Sequence, residues 1–233
     1  MIPARKGGPL TWVLDRYVAR KLRGAFRGLW VRGQLPTQPG PRLVYMNHCS
    51  WWDGFMLHQL GRALGWDVYA LMEEENLRRY PFLARIGAFS IRRQDALSAL
   101  TSLRYAKGLF TRPRAAVFVF PEGEQRAFGA GPLRLQRGVE LLARAARAQC
   151  LPIAVRYAFL EHERPDILLD VGRAHGPASL DVFTQTLQAG VERLARVSST
   201  QGFTRLLAGG SGVAERWDRV RGRAGSSQAG SPR

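Results

Sequence analysis

Between residues 43 and 171 short apolar runs alternate with stretches whose apolar residues recur at helical spacing, and this alternation limits the fold more than any other feature of the chain. The runs Leu43–Met46, Val68–Met72, Phe89–Arg92, Ala115–Phe120, Ile153–Phe159 and Ile167–Val171 read as strands. Helices are predicted near Asp53–Leu64, Leu77–Ile86, Ala96–Phe110, Leu135–Ala148 and Leu180–Arg196. Strands separated by helices need a crossover between neighbours. The expected architecture is therefore α/β, a single domain with a mostly parallel or mixed sheet flanked by helices. The chain has 233 residues, 45% of them hydrophobic, with six Trp, six Tyr and eleven Phe, which suits one packed core and excludes disorder throughout.

No apolar run approaches the roughly 18 residues a spanning helix needs. Arg5 and Lys6 lead into Gly7, Gly8, Pro9 and a segment carrying Asp15, which does not read as a signal peptide. Two cysteines, Cys49 and Cys150, make no disulfide framework and point to a reducing compartment.

There are 35 basic residues against 18 acidic ones, a net charge of +17, and all the basic residues except Lys6, Lys21 and Lys107 are arginine. Such a field attracts polyanions: nucleic acid, anionic lipid headgroups or acidic carriers. Residues 10–31 read as a basic amphipathic helix. Leu10, Val13, Leu14, Tyr17, Val18, Leu22, Phe26, Leu29 and Trp30 fall along one stripe, with Arg16, Arg20, Lys21, Arg23 and Arg27 beside or opposite it. With Trp12, Trp30 and Phe26 it has the composition of an interfacial membrane helix; the alternative is a surface helix whose stripe enters the core. The expected organisation is an amphipathic basic, membrane-associating helix over 1–34, a catalytic domain over 35–208 and a flexible Gly/Ser/Arg-rich tail over 209–233. The Pro36–Pro41 stretch would serve as the linker.

Candidate chemistry concentrates where two predicted strands end. His48 follows Leu43–Met46 in Asn47-His48-Cys49-Ser50-Trp51-Trp52-Asp53, where a strand gives way to a helix, the usual ligand position in an open α/β sheet. An Asp five residues on can fold back to Nδ1–H, fixing the tautomer and leaving Nε2 as a general base. The continuous apolar run Ala115–Phe120 empties into Pro121-Glu122-Gly123-Glu124-Gln125-Arg126. Glycine there allows close backbone approach, and the Gly123 N–H is expected to face a developing oxyanion. His58, His162 and His175 have no evident partner nearby in sequence and read as structural or exposed.

Together these segments resemble the glycerolipid acyltransferase superfamily, the family of lysophosphatidate (1-acylglycerol-3-phosphate) acyltransferases. Four family blocks can be placed in order over residues 47–157. Asn-His-x-Ser-x-x-Asp is matched in full by Asn47, His48, Ser50 and Asp53. Gly-x-x-Phe-Ile-x-Arg is found as Gly87-Ala88-Phe89-Ser90-Ile91-Arg92-Arg93, with Gly87, Ile91 and Arg93 in register. Phe-Pro-Glu-Gly-Thr-Arg-Ser begins as Phe120-Pro121-Glu122-Gly123, and a Val-Pro-Ile-Ala strand appears as Leu151-Pro152-Ile153-Ala154-Val155. The resemblance covers roughly residues 40–200. It implies His48 and Asp53 as the catalytic pair, with Asn47, Ser50, Arg93, Glu122, Gly123 and Arg126 shaping the substrate site. The implied donor is acyl-CoA or acyl-carrier protein and the acceptor a lipid hydroxyl, with no acyl-enzyme on Cys49 or Ser50. No metal or other cofactor is implied, and no His/Cys cluster has ligand spacing.

The departures bear on the acceptor. Glu124-Gln125-Arg126 replaces the family's Thr-Arg-Ser, so the arginine expected on an acceptor phosphate is displaced by one position beside an acid, and Ser90 replaces a Phe. A carboxylate near a phosphate repels it, which brings a glycolipid or a glycosylated carotenoid into contention as acceptor. The remaining alternative is a basic membrane- or nucleic-acid-binding protein without catalysis. No zinc-finger spacing, aromatic-basic RNA signature or helix-turn-helix supports a specific nucleic-acid partner. The expected location is peripheral, monotopic on the cytoplasmic face, against an anionic membrane surface.

Overall fold

In the computed structural model, which describes residues 1–36, 40–213, 217 and 221, the alternation becomes one eight-stranded sheet with helices on both faces. In chain order the elements are α1 (Pro9–Ala25), β1 (Gly28–Arg32), β2 (Arg42–Met46), α2 (Asp53–Leu64), β3 (Asp67–Glu73) and α3 (Glu74–Arg79). A 3-10 turn (Pro81–Ile86), β4 (Ala88–Ile91), α4 (Ala96–Leu109), β5 (Ala115–Val119) and α5 (Gly138–Ala146) follow. The described chain then adds β6 (Gln149–Ala158), β7 (Asp166–Val171), α6 (Leu180–Ala195) and β8 (Thr204–Ala208).

The spatial order is β4-β3-β5-β2-β6-β7-β1-β8. The first five strands are parallel; β7 is antiparallel to β6, β1 parallel to β7, and β8 antiparallel to β1. Every residue of β2 and β5, at the centre, is buried, which explains why those runs are apolar without alternation. Their side chains still divide between faces. Val44, Met46 and Phe118 pack with Val18 and Leu22 of α1 and Phe55, Met56 and Leu60 of α2. Leu43, Tyr45, Val117 and Val119 pack on the other face with Phe183, Leu187 and Leu194 of α6.

The helix expected over 10–31 ends at Ala25, and Gly28–Arg32 form a strand instead. The apolar residues of 28–32 fit either period over so short a window, and distant partners decide between them. Leu29 and Val31 enter the core, while Trp30 and Arg32 turn to the opposite face and meet acids on β7. Asp166, wholly buried, accepts from Arg27 Nη2 at 2.8 Å and Trp30 Nε1 at 2.7 Å; Asp170 accepts from Arg32 Nη2 at 2.7 Å and Arg193 Nη2 at 2.5 Å. Phe26 is core as well, ringed by Trp52 and Tyr157. The stripe therefore splits: Val18, Leu22 and Phe26 are buried, while Leu10, Trp12, Val13 and Tyr17 face outward.

The single helix expected over 77–86 divides at Pro81, which lacks an N–H to continue the ladder and leads a 3-10 turn. That turn closes at Gly87, whose φ of +112° and contact with the Val68 carbonyl leave no room for a Cβ. The strand β8, for which no element was expected, caps the β1 edge. Of the expected linker, residues 37–39 lie outside the described residues, as do 214–216, 218–220 and 222–233 of the expected tail. The tail's first residues are bonded: Gly209 N–H donates to Arg27 O at 2.8 Å and Gly210 N–H to Arg23 O at 2.7 Å. No helix among the described residues is long and apolar enough to cross a membrane.

Asp166→Ala would leave the Arg27 guanidinium, 13% exposed, without its bidentate partner and the Trp30 indole without an acceptor. Breaking one side of such a pair costs about 3–5 kcal/mol. Urea unfolding of the variant should show a loss of that order, with the slope of the transition unchanged.

Candidate active site

All five parallel strands end on one edge of the sheet, and the predicted site residues gather there. The turn after β2 carries Asn47–Trp52 and delivers Asp53 as the first residue of α2. Asp53 is wholly buried, so its charge requires donors on both oxygens. Oδ2 accepts from the backbone N–H of Cys49 at 3.0 Å and of Ser50 at 3.1 Å and meets His48 Nδ1 at 2.6 Å. Oδ1 accepts from the Tyr157 hydroxyl at 2.7 Å. The α2 N-terminus adds the positive end of its dipole. His48 Nδ1 is thereby the ring nitrogen turned to the carboxylate.

His48 itself opens onto the cleft. Its side chain is 27% exposed, its ring stacks on Phe120 with centroids 4.4 Å apart, and Nε2 has no partner among the described residues. Cys49 lies beside it, partly buried. Burial pushes its thiol pKa well up, and the charges of Asp53 and Glu122 push it further. Burial likewise raises Tyr157, with the Asp53 charge adding to it, so the phenol stays a donor.

The turn after β5 faces the turn after β2, and Arg126 N–H donates to His48 O at 2.9 Å across them. Gly123 has a φ of +76°, and a Cβ there would collide with the Arg93 guanidinium and the Gln136 amide; Arg93, two residues beyond β4, is thus brought against the Glu122–Gly123 turn. The Gly123 N–H does not face the cleft as expected. It closes the turn on Phe120 O at 3.0 Å, because a four-residue reversal at a strand end consumes that donor.

The remaining predicted residues divide between cleft and scaffold. Asn47 is buried, with Nδ2 donating to Val155 O at 2.9 Å and Oδ1 accepting from Val155 N at 2.8 Å, so its amide extends the β2–β6 pairing. Ser50 Oγ accepts from Trp52 N at 3.2 Å and shapes the turn. Glu122, buried, meets Arg126 Nη1 at 2.8 Å; the same guanidinium donates to Pro132 O at 3.1 Å and Ala130 O at 3.0 Å. Arg93 Nε donates to Glu73 Oε2 at 2.8 Å.

Tyr157 and Gln136 escaped sequence reasoning. Tyr157 lies in a predicted strand, but nothing local in sequence signals a bond to an aspartate 104 residues away. Of the histidines read as partnerless, His58 Nε2 meets Asp15 at 2.6 Å, linking α2 to α1, and His175 Nε2 meets the Tyr45 hydroxyl at 2.8 Å.

The family model described as Acyltransferase matches residues 29–156. The crystal structure of the 1-acyl-sn-glycerophosphate (LPA) acyltransferase PlsC from Thermotoga maritima superposes with a TM-score of 0.59 at 16% sequence identity, covering 81% of each chain. At that identity the likeness speaks for the fold, a mixed α/β sheet flanked by helices. No curated protein sequence matches the chain.

Tyr157→Phe removes one donor from a buried carboxylate while keeping the ring against Phe26. The expected cost is about 1–3 kcal/mol in denaturant unfolding.

Proposed function

The chain belongs to the acyltransferase family, and from that premise we propose that it moves a fatty acyl group from the thioester of acyl-CoA or acyl-carrier protein to a lipid hydroxyl, with His48 as general base oriented by Asp53. The observation that carries this reading is the 2.6 Å contact between His48 Nδ1 and Asp53 at the strand ends, with Nε2 left without a partner. Nε2 takes the proton from the acceptor hydroxyl as its oxygen attacks the thioester carbonyl. Asp53 holds the imidazolium through the tetrahedral intermediate. The thiolate then leaves, recovering the proton from Nε2, and the products are an ester and a free thiol. Arg93, beside the Glu122–Gly123 turn, would face the acceptor.

One observation bears on the acceptor. The Arg126 guanidinium already binds the Glu122 carboxylate and two carbonyls, and Glu124 stands beside it in sequence. An arginine so engaged offers little to a phosphate. Lysophosphatidate remains the reading by resemblance; the ion pair favours an acceptor without a phosphate, a glycolipid or a glycosylated carotenoid. Labelled acyl-CoA offered with a panel of such acceptors and lysophosphatidate decides between them. On the productive acceptor, His48→Ala should lower kcat by roughly 10²–10⁴ and Asp53→Asn should lower it markedly, while Cys49→Ala stays near the unsubstituted protein. A Cys49→Ala loss as deep as that of His48→Ala would point instead to an acyl-cysteine.

The proposed location is peripheral, on the cytoplasmic face, and the docking element is the outward half of α1. Leu10, Trp12, Val13 and Tyr17 are each about half exposed or more, Arg16 lies over Trp12 at 5.4 Å, and Lys21 over Tyr17 at 5.6 Å. Through Phe55 the Tyr17 ring continues to Trp51, which is 55% exposed on the His48 turn. Basic residues near an anionic surface contribute about 1 kcal/mol each, and the apolar stripe is not screened. Trp12→Ser with Tyr17→Ser should abolish vesicle binding at high salt and weaken it at low salt, as read by co-sedimentation. These substitutions spare the core, whereas truncation to residue 33 would remove β1.

A further inference from the structure

A groove on the described surface lies away from His48, at the foot of α1. We propose that it binds a single anionic phospholipid, with its phosphate between Arg5 and Arg85 and its first methylenes along the apolar floor. The groove holds about 710 Å³, within the usual range for a small-ligand site. Ile2, Leu10, Leu77 and Phe82 line it, and Arg5 and Arg85 stand at its rim. Arg78, also at the rim, is held by Glu74 at 2.8 Å, but the Arg5 and Arg85 guanidiniums have no acceptor among the described residues. Two unengaged arginines over an apolar floor match a ligand that is anionic at one end and hydrocarbon at the other.

The groove is preformed. Arg5 N–H donates to Ala84 O at 2.8 Å and Thr11 Oγ1 to Arg85 O at 3.2 Å, tying the N-terminal segment and the start of α1 to the 3-10 turn. It is also continuous with the docking face, since Leu10 both lines the groove and begins the outward stripe of Leu10, Val13 and Tyr17. A lipid in the leaflet touched by that stripe can enter without leaving the bilayer. The groove is distinct from the reacting cleft. The helices α1 and α2 run antiparallel, Asp15 meeting Arg62 and Phe26 meeting Trp52, so the foot of α1 lies at the far end of α2 from Asp53. None of the residues lining the groove belongs to the turns that carry His48, Arg93 or Glu122. A lipid held there would set α1 in the headgroup plane and bring Trp51, on the His48 turn, to the surface.

The inference rests on the proposed membrane docking only for the source of the lipid, so it is tested without vesicles. Dihexanoyl-phosphatidylglycerol below its micelle concentration should bind the intact protein saturably and one to one by titration calorimetry. Arg5→Gln with Arg85→Gln should weaken that binding at least about tenfold, and Phe82→Ser should weaken it independently. Trp12→Ser, outside the groove, should leave it unchanged. Equal affinity for inorganic phosphate would make the groove an anion site and not a lipid site. Equal affinity for dihexanoyl-phosphatidylcholine would remove the selectivity for net negative charge, and unaltered binding by both the double variant and Phe82→Ser would place the ligand elsewhere. Any of these three results overturns the proposal. Acyl transfer to a soluble short-chain acceptor, measured on the same samples, separates the two readings: inactivity with lipid binding intact would count against the enzyme assignment alone.

Discussion

A carboxylate sealed from water sets the terms for the edge of the sheet where the candidate site lies. Asp53 is buried, so donors must surround it, and two regions far apart in sequence supply them: the His48–Ser50 turn running into the N-terminus of α2, and Tyr157 near the end of β6. Each donor is also a constraint on backbone. The two N–H groups fold the turn into its tight form, and the tyrosine ties β6 to the start of α2 just beyond the point where the Asn47 amide extends the β2–β6 pairing. The imidazole then has one available orientation, with Nδ1 on the acid and its face on Phe120. Preorganisation here is a consequence of desolvation: a looser turn would leave the charge unsatisfied.

The sheet explains why the parts meet. Parallel strands bring successive strand ends to the same edge, so the turns after β2, β4 and β5 converge although Arg93 and Glu122 are each tens of residues from His48. Crossover helices cover both faces and keep that edge free. The antiparallel half, β7-β1-β8, brings no residue to the His48–Asp53 pair; it closes the core and anchors α1 through the Arg27 and Trp30 bonds to Asp166.

Much of this was legible in the sequence because it is written locally. The strands at 43–46, 68–72 and 115–120 carry uninterrupted apolar runs, 167–171 is broken only by Asp170, and α2, α4 and α6 carry helical spacing, so their limits agree with the structure within a few residues. The His48 and Asp53 pairing is legible for the same reason, since both ends of the bond lie within one turn. What escaped depends on partners distant in sequence. Nothing in Gly28–Arg32 distinguishes a strand from a helical continuation until Asp166 and Asp170 are in place, and Tyr157 has no local mark of its bond to Asp53. The Gly123 N–H was misread because a turn's internal bond is invisible in composition.

Net charge shows the same division between local and distant information. A sum of +17 describes the field far from the molecule, but the fold assigns individual arginines very different work. Arg27, Arg32 and Arg193 neutralise buried acids of β7 and act as core polar ties. Arg126 is closed on Glu122 within the candidate site, and Arg78 on Glu74. Pairing with acids leaves Arg5, Arg16, Arg20 and Arg85 as positive charge without a carboxylate partner, on α1 and the segments flanking its foot. Arg104, Arg134, Arg137 and Arg147 likewise have no carboxylate partner among the described residues, but on α1 the cations stand beside apolar side chains that face outward. Cations beside exposed Leu10, Trp12 and Val13 support the proposed bilayer docking over a nucleic acid, which rewards charge without burying aliphatic area.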